Sequence, residues 1–508
     1  MRSLLTVIVV AVAVVAAATF LLNASGGQDE DGYLYAVYTD ADSNLNVIDV
    51  YESHVENGKA TPLAQRYRIS DSEGGINPQW SFDRKTGTGP FNTFYAAINL
   101  SDDSPAYDAD DRAERRLSTS AGAAGYILDP YDLTRTLAGH VFDPGLYNVM
   151  LVIPTVYWVS EKVTAEETVG NLVKGKEYNV LYLSSSDSYA PAGHGKIVGM
   201  KAYAHSASLV PGKADFDSAV YPYLGIGVYE SYVTSESDGA GAGKLVSQSG
   251  RVPTSGYNVD EFKEAADALA PISGDGLRSD YQQWNHYQWT LYKMMCYTVM
   301  GSKNSQVMVG VGYTEGNDSP AVTGSTDAIG FAGIAAVTKS SSGASSSEAG
   351  RTAAKLFIEN GWGSLNVFVG DAFVIGTSSK NMMLYAGNYL GGENLLEKRD
   401  QPPAGQPWAD IFITGTPHRV IAGASVESAT WDVPILANAN AAAYSDAAYP
   451  GDIVNGAESG VLSITAGGRW NNTHYAGVAF ACAGFDIALA NEYRGARLAY
   501  LMSEEAVP

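Results

Sequence analysis

The sequence predicts an α+β protein made mostly of short strands and turns, with one helix pair in its middle. Three observations lead there. Glycine (54) and tyrosine (32) are frequent while only 17% of residues are charged, a balance that suits strands and turns better than long solvated helices. Short apolar runs such as YLYAVYT, NVMLVIPTVYWV, YNVLYL and YLGIGVYESYV recur, separated by turn clusters such as Ser72-Glu73-Gly74-Gly75 and Gly87-Thr88-Gly89-Pro90. Two segments carry helical spacing instead. NVDEFKEAADALA (258–270) places Val259, Phe262, Ala265, Ala266 and Leu269 on one stripe behind an acidic first turn, and SDYQQWNHYQWTLYKMMCYTVMG (279–301) reads as an amphipathic helix stopped by Gly301.

From the N-terminus, Leu4 to Leu22 is an uncharged run of 19 residues, long enough to cross a hydrocarbon core of about 30 Å as a helix. Arg2 precedes the run and Asp29-Glu30-Asp31 follows it, so the positive-inside rule sends the rest of the chain outside. Residues 1–27 are therefore expected to be a transmembrane signal anchor, with a cleaved signal peptide and a secreted protein as the alternative. Residues 28–135 read as a small β-rich unit closed by a charged, small-residue linker over 101–125. Residues 136–508 form the main domain, interrupted by a low-complexity loop at 339–351.

Composition excludes several functions. Asp and Glu total 55 against 32 Lys and Arg, a net charge of −23 that repels phosphate backbones and argues against nucleic acid. Two cysteines, Cys296 and Cys482, allow neither a disulfide scaffold nor a cysteine zinc cluster, and both sit in apolar runs that suit packing. The seven histidines are scattered, with no H-E-x-x-H pair, so no metal or cofactor is expected. No G-x-S-x-G elbow occurs, and GAGAGKL at 239–245 lacks the spacing of a phosphate loop. Sequons at Asn23, Asn99, Asn317 and Asn471 are compatible with export.

Five segments, in order, resemble a known superfamily: YPYLGIGVYESYV, LVSQSGRVPTSGYNVDEFKEAA, DYQQWNHYQWTLYKMMCYTVMGSKNSQVMVGVG, FIENGWGSLNVFVGDAFVI and AGGRWNNTHYAGVAFACAGFDIALANEYRGARLAYLM. They are similar to the C-type-lectin-like fold shared by formylglycine-generating (sulfatase-modifying-factor) enzymes, phage receptor-binding proteins and retroelement-diversified variable proteins. The resemblance covers roughly residues 140–508 and implies a C-type-lectin-like domain with long loops and insertions. On it, Glu359, Asn360, Trp362, Gly363, Gly467, Gly468, Trp470 and Arg497 are structural residues. The segment after Gly467-Gly468 implies ligand contacts at Asn471, Asn472, His474, Tyr475, Asp486, Asn491 and Tyr493, whose aromatic and amide side chains suit adaptable recognition.

The chain departs from the superfamily's chemistries. It lacks the close cysteine pair of the formylglycine-generating enzymes, the clustered histidines of the sulfoxide synthases and the E-P-N or Q-P-D loop of calcium-dependent lectins. The expectation is a non-enzymatic, membrane-anchored adhesin or receptor-like protein that binds a protein or glycan on another cell or host surface. An enzyme on the sulfatase-modifying scaffold with an unrecognised site, or a structural envelope protein, is the alternative.

Overall fold

The computed structural model describes residues 32–40, 47–56, 59–65, 80–100, 116–118, 124–186, 201–202, 223–238, 241–269, 281–302, 304–314, 319–337, 352–378, 381–386, 409–412, 418–420, 453–456, 460–472, 476–478 and 480–502. Strands dominate them. Three large sheets and two small ones stand against three short α-helices among the described residues. The expected α+β class with a C-type-lectin-like domain is thus corrected to a β-dominated fold, because most apolar runs pair as strands and helical spacing is realised only around residues 259–308. Among the described residues no helix is long and apolar enough to cross a membrane, and the Leu4–Leu22 run expected to do so lies outside them. The 339–351 loop also lies outside them.

The first sheet runs in the order Lys201–Ala202, Tyr157–Thr164, Glu177–Ser184, Tyr33–Asp40, Val47–Glu56, Lys59–Gln65. Its central strand buries both faces by strict alternation. Tyr33, Tyr35 and Val37 join the main core with Trp80 and Phe91, while Leu34, Ala36 and Tyr38 pack with Leu172, Tyr178 and Tyr182.

The second sheet places Leu498–Met502 between Tyr281–Gln283 and Tyr223–Gly227, followed by Tyr147–Pro154, Phe94–Asn99, Ala124–Asp129 and Arg116–Ser118. Strands from either side of residue 135 therefore share both sheets, and Arg116–Ser118 of the expected linker pairs with Ala124–Tyr126. The third sheet centres on Asn366–Ser378, Gly460–Ala466 and Ala481–Asp486, with Arg494–Gly495 joining parallel to Asn366–Val367.

Helix α1 (Val259–Asp267) starts in a capping box: Asn258 Oδ1 accepts from the Asp260 and Glu261 amides, and the Glu261 carboxylate accepts from Asn258 N at 2.7 Å. Helix α2 (His286–Met300) uses a second box, Asn285 with Gln288, and ends at Gly301 in the left-handed region. It is shorter than the 279–301 expected, since Tyr281–Gln283 is a strand. It is also not amphipathic. Trp289, Leu291, Tyr292, Met294, Met295, Cys296, Tyr297 and Val299 are all buried, because the helix touches strands of both the first and third sheets.

Candidate functional site

Two polar clusters stand out, one sealed inside and one at the surface. The inner cluster begins with Arg497, which has no exposed surface. Its guanidinium donates to Gly227 O (2.8 Å), Val228 O (3.0 Å), Glu359 O (2.9 Å) and Asn360 O (3.0 Å). Glu359, equally buried, accepts from Gly324 N (2.9 Å), Thr326 N (2.8 Å) and Thr326 Oγ1 (2.7 Å). Backbone groups at strand ends and in the 324–326 turn are thereby satisfied by side chains.

Further ionisable groups crowd the same interior. Glu230 accepts from Leu365 N at 2.9 Å through one oxygen while the other has no hydrogen-bond partner among the described residues. Burial pushes its carboxyl up to about 8, with Arg497 pulling the other way. Burial brings Lys355 down to about 8 against the charges of Asp327 and Glu359, and its ammonium donates to Ile329 O at 2.8 Å. Asp327, itself raised by burial, accepts from the Tyr229 hydroxyl and from Ser249 Oγ at 2.7 Å. Glu230, Lys355, Glu359 and Arg497 are each at most 1% exposed, so this cluster meets no ligand from solution and acts as scaffold.

The scaffold holds a strained segment. Phe357, Asn360 and Ser364 all take positive φ (62°, 48° and 61°), a region that side chains rarely adopt. Surrounding bonds over-determine it: Phe357 N donates to Phe331 O (2.6 Å), Asn360 N to Ala354 O (2.7 Å) and Ser364 N to Tyr313 O (2.8 Å). Trp362 is fully buried and its indole donates to Gly310 O at 3.1 Å. Gly363 N donates to Gly467 O at 3.2 Å, and Trp470 N donates to Ser364 O at 3.1 Å. The inner scaffold is thus bolted to residues 467–470.

The surface cluster grows from there. Gly467 and Gly468 both have φ of 84°, and a Cβ on Gly468 would meet the Ala476 backbone at 2.8 Å, so only glycine allows the approach. The chain then turns: Asn472 N donates to Arg469 O (3.0 Å), and Arg469 N donates to Asn472 Oδ1 (2.7 Å). Trp470 packs inward with Tyr313 and Leu365, its ring tilted against Tyr493 at 5.1 Å. Arg469 lies over the same Tyr493 ring at 3.9 Å, and its Nε donates to Asn471 Oδ1 at 2.8 Å. Asn471 is exposed, while Arg469, Asn472 and Tyr493 are half-buried.

Behind this turn sits Arg494, only 1% exposed, against Phe368 (5.4 Å) and Phe485 (4.6 Å). One of its terminal nitrogens donates to Leu489 O at 3.0 Å and the other has no hydrogen-bond partner among the described residues. Burial first, then the Arg469 charge, hold it down to about 10, with Cys482 and Asp486 opposing. Both arginines also act on the buried Cys482 thiol, which burial pushes up and they pull down.

Of the residues expected to contact ligand, Asn471, Asn472 and Tyr493 come together around Arg469. Asp486 is exposed and caps its own turn through Ala488 N (2.9 Å), and Asn491 accepts from Tyr493 N at 3.1 Å, shaping the loop that presents the tyrosine. His474 and Tyr475 lie outside the described residues. The residues expected to be structural, Glu359, Asn360, Trp362, Gly363, Gly467, Gly468, Trp470 and Arg497, are all buried. Sequence reasoning missed Glu230, Lys355, Arg469 and Arg494. Lys355 had a visible signal, a lone charge inside the apolar run TAAKLFI; the arginines had none beyond neighbouring aromatics. No family model matches this chain, and no curated protein sequence matches it.

Proposed function

We propose that this chain is an exported, surface-displayed ligand-binding protein whose recognition surface is the Arg469–Asn472 turn together with Tyr493. The observation that carries the reading is a turn tied to a rigid interior while the Arg469 terminal nitrogens and the Asn471 amide NH2 have no protein partner among the described residues. Trp470 is fixed to Ser364 by a backbone bond of 3.1 Å, so the turn needs little reordering to bind. Asn471 is exposed beside it, and the Tyr493 ring is held by Arg469 and Trp470. Rigid aromatic, amide and arginine side chains of this kind dominate recognition surfaces. Display outside the cell follows from Arg2 ahead of the uncharged Leu4–Leu22 run. The partner is a protein or glycan met outside the cell.

The test is a panel of arrayed glycans and extracellular proteins probed with the purified full chain and with Asn471→Ala and Tyr493→Ala. Each variant should lose about 1–3 kcal/mol of binding to the same spot while melting close to wild type. Binding equal to wild type in both variants would remove the turn from the recognition surface. Protease added to intact cells should digest the body of the protein; protection until lysis would remove the display.

A further inference from the structure

We infer that this turn takes a carboxylate, and that the ligand class is an acidic, uronate-type sugar; the inference rests on the recognition surface proposed above. The molecule is strongly acidic, with 55 Asp and Glu against 32 Lys and Arg, so arginines near the surface would be expected to find carboxylates. Neither Arg469 nor Arg494 forms an ion pair among the described residues, although the Asp486 charge reaches Arg494. Arg469 uses its Nε on the Asn471 amide oxygen, and its two terminal nitrogens have no protein hydrogen bond among the described residues. Arg494 gives one terminal nitrogen to a backbone carbonyl and leaves the other without a hydrogen bond among the described residues, in a 1% exposed side chain. The two charges lie close enough that Arg469 lowers Arg494, and both bear on the Cys482 thiol. Two cations without an ion pair among the described residues, flanking Tyr493 and offset at Arg494 by the Asp486 charge alone among the carboxylates, form a local basic spot on a negative molecule.

The geometry selects the anion. Arg469 is held over the Tyr493 ring at 3.9 Å and steered by Asn471, so its terminal nitrogens offer the paired N–H donors of a guanidinium fork with little freedom left to lose. A planar carboxylate matches that fork in a bidentate pair, and Arg494 adds charge from behind. Asn471 and Asn472 spend their oxygens on Arg469, which leaves both amide NH2 groups without a protein partner among the described residues. Such donors, one turn from a carboxylate fork, suit the hydroxyls that flank the carboxylate of a uronic acid. An acidic peptide side chain offers no hydroxyls there. Remote repulsion from the −23 surface is screened at about 0.15 M salt, where the Debye length is about 8 Å, while the contact pair is not.

The experiment measures binding of the full chain at that ionic strength to three probes: a galacturonate oligosaccharide, the same oligosaccharide with its carboxyls reduced to alcohols, and a poly-glutamate peptide. Wild type should bind the uronate at least tenfold tighter than the reduced sugar or the peptide. Arg469→Gln should abolish that preference without shifting the melting temperature, and Arg469→Lys should restore only part of it, since a lysine cannot form the fork. Equal binding of acidic and reduced sugar would overturn the carboxylate while leaving the recognition surface in place. Preference for the peptide would overturn the sugar class. No binding to any of the three would also overturn the inference, and the array test with Asn471→Ala and Tyr493→Ala then decides the recognition surface separately.

Discussion

Arg497 and Arg469 are the same residue type under opposite conditions. Arg497 is sealed and spends four donor bonds on the carbonyls of two chain segments. Arg469 is held instead by an aromatic ring and one amide, and its terminal nitrogens have no protein hydrogen bond among the described residues. The lesson concerns what immobilises a cation. Backbone carbonyls consume hydrogen-bonding capacity and convert the arginine into framework, whereas a ring face fixes position and leaves the capacity for a visitor.

The largest expected effect breaks the first half of that contrast. Arg497→Met orphans carbonyls of Gly227, Val228, Glu359 and Asn360 and removes the cation beside Glu230, and should cost about 3–5 kcal/mol, read as a collapse in melting temperature or soluble yield. Melting near wild type would show that the interior does not depend on this residue.

Next in size is a pH effect. Glu230 titrates at about 8 in the folded chain and near 4.5 when unfolded, so its contribution is full below pH 4.5 and is lost as the pH rises to 8. Asp327 and Glu359, also raised by burial, act with the same sign. Lys355 acts oppositely: lowered from 10.5 to about 8, it contributes above pH 10.5 and loses that contribution as the pH falls to 8. Thermal stability should therefore decline from pH 5 to pH 8. Glu230→Gln should flatten the decline, gaining up to about 3 kcal/mol at pH 8. An unchanged slope in that variant would place the titration elsewhere.

Smaller still, Glu359→Gln keeps one acceptor oxygen but faces the three donors of Gly324 and Thr326 with an amide NH2, and should cost about 1–3 kcal/mol in chemical denaturation. The smallest stability effect sharpens the second half of the contrast. Arg469→Gln and Asn471→Ala should each change stability by less than about 1 kcal/mol while reducing ligand binding. A melting shift as large as that of Arg497→Met would make the turn part of the framework.

The legible parts of this molecule were those governed by local pattern. The helix at Val259–Asp267 carries its own capping box and stripe, and the strand Tyr147–Pro154 is an apolar run. Glu359, Trp362 and Gly468 were singled out by the segments that contain them, and all three are buried. What stayed hidden depends on distant partners. The 279–301 segment looked amphipathic because nothing in its own residues announces that sheets cover both its sides. The α+β expectation overweighted two helical stretches against many short runs whose pairing is non-local. Glu230 and Arg497 are separated by most of the domain, and no spacing rule could place one beside the other.

One feature of the second sheet bears on how the protein is made. Leu498–Met502 is an inner strand, hydrogen-bonded to Tyr223–Gly227 on one side and Tyr281–Gln283 on the other. Arg497, just before it, reaches carbonyls 270 and 269 residues back in the chain. A growing chain therefore holds an open seam in this sheet until its residue 502 emerges, with apolar strand edges uncovered throughout. Contacts this distant in sequence are slow to find, and exposed edges invite aggregation in the interval. That delay makes every product shortened before residue 498 a substrate for chaperones and proteases rather than a smaller working protein.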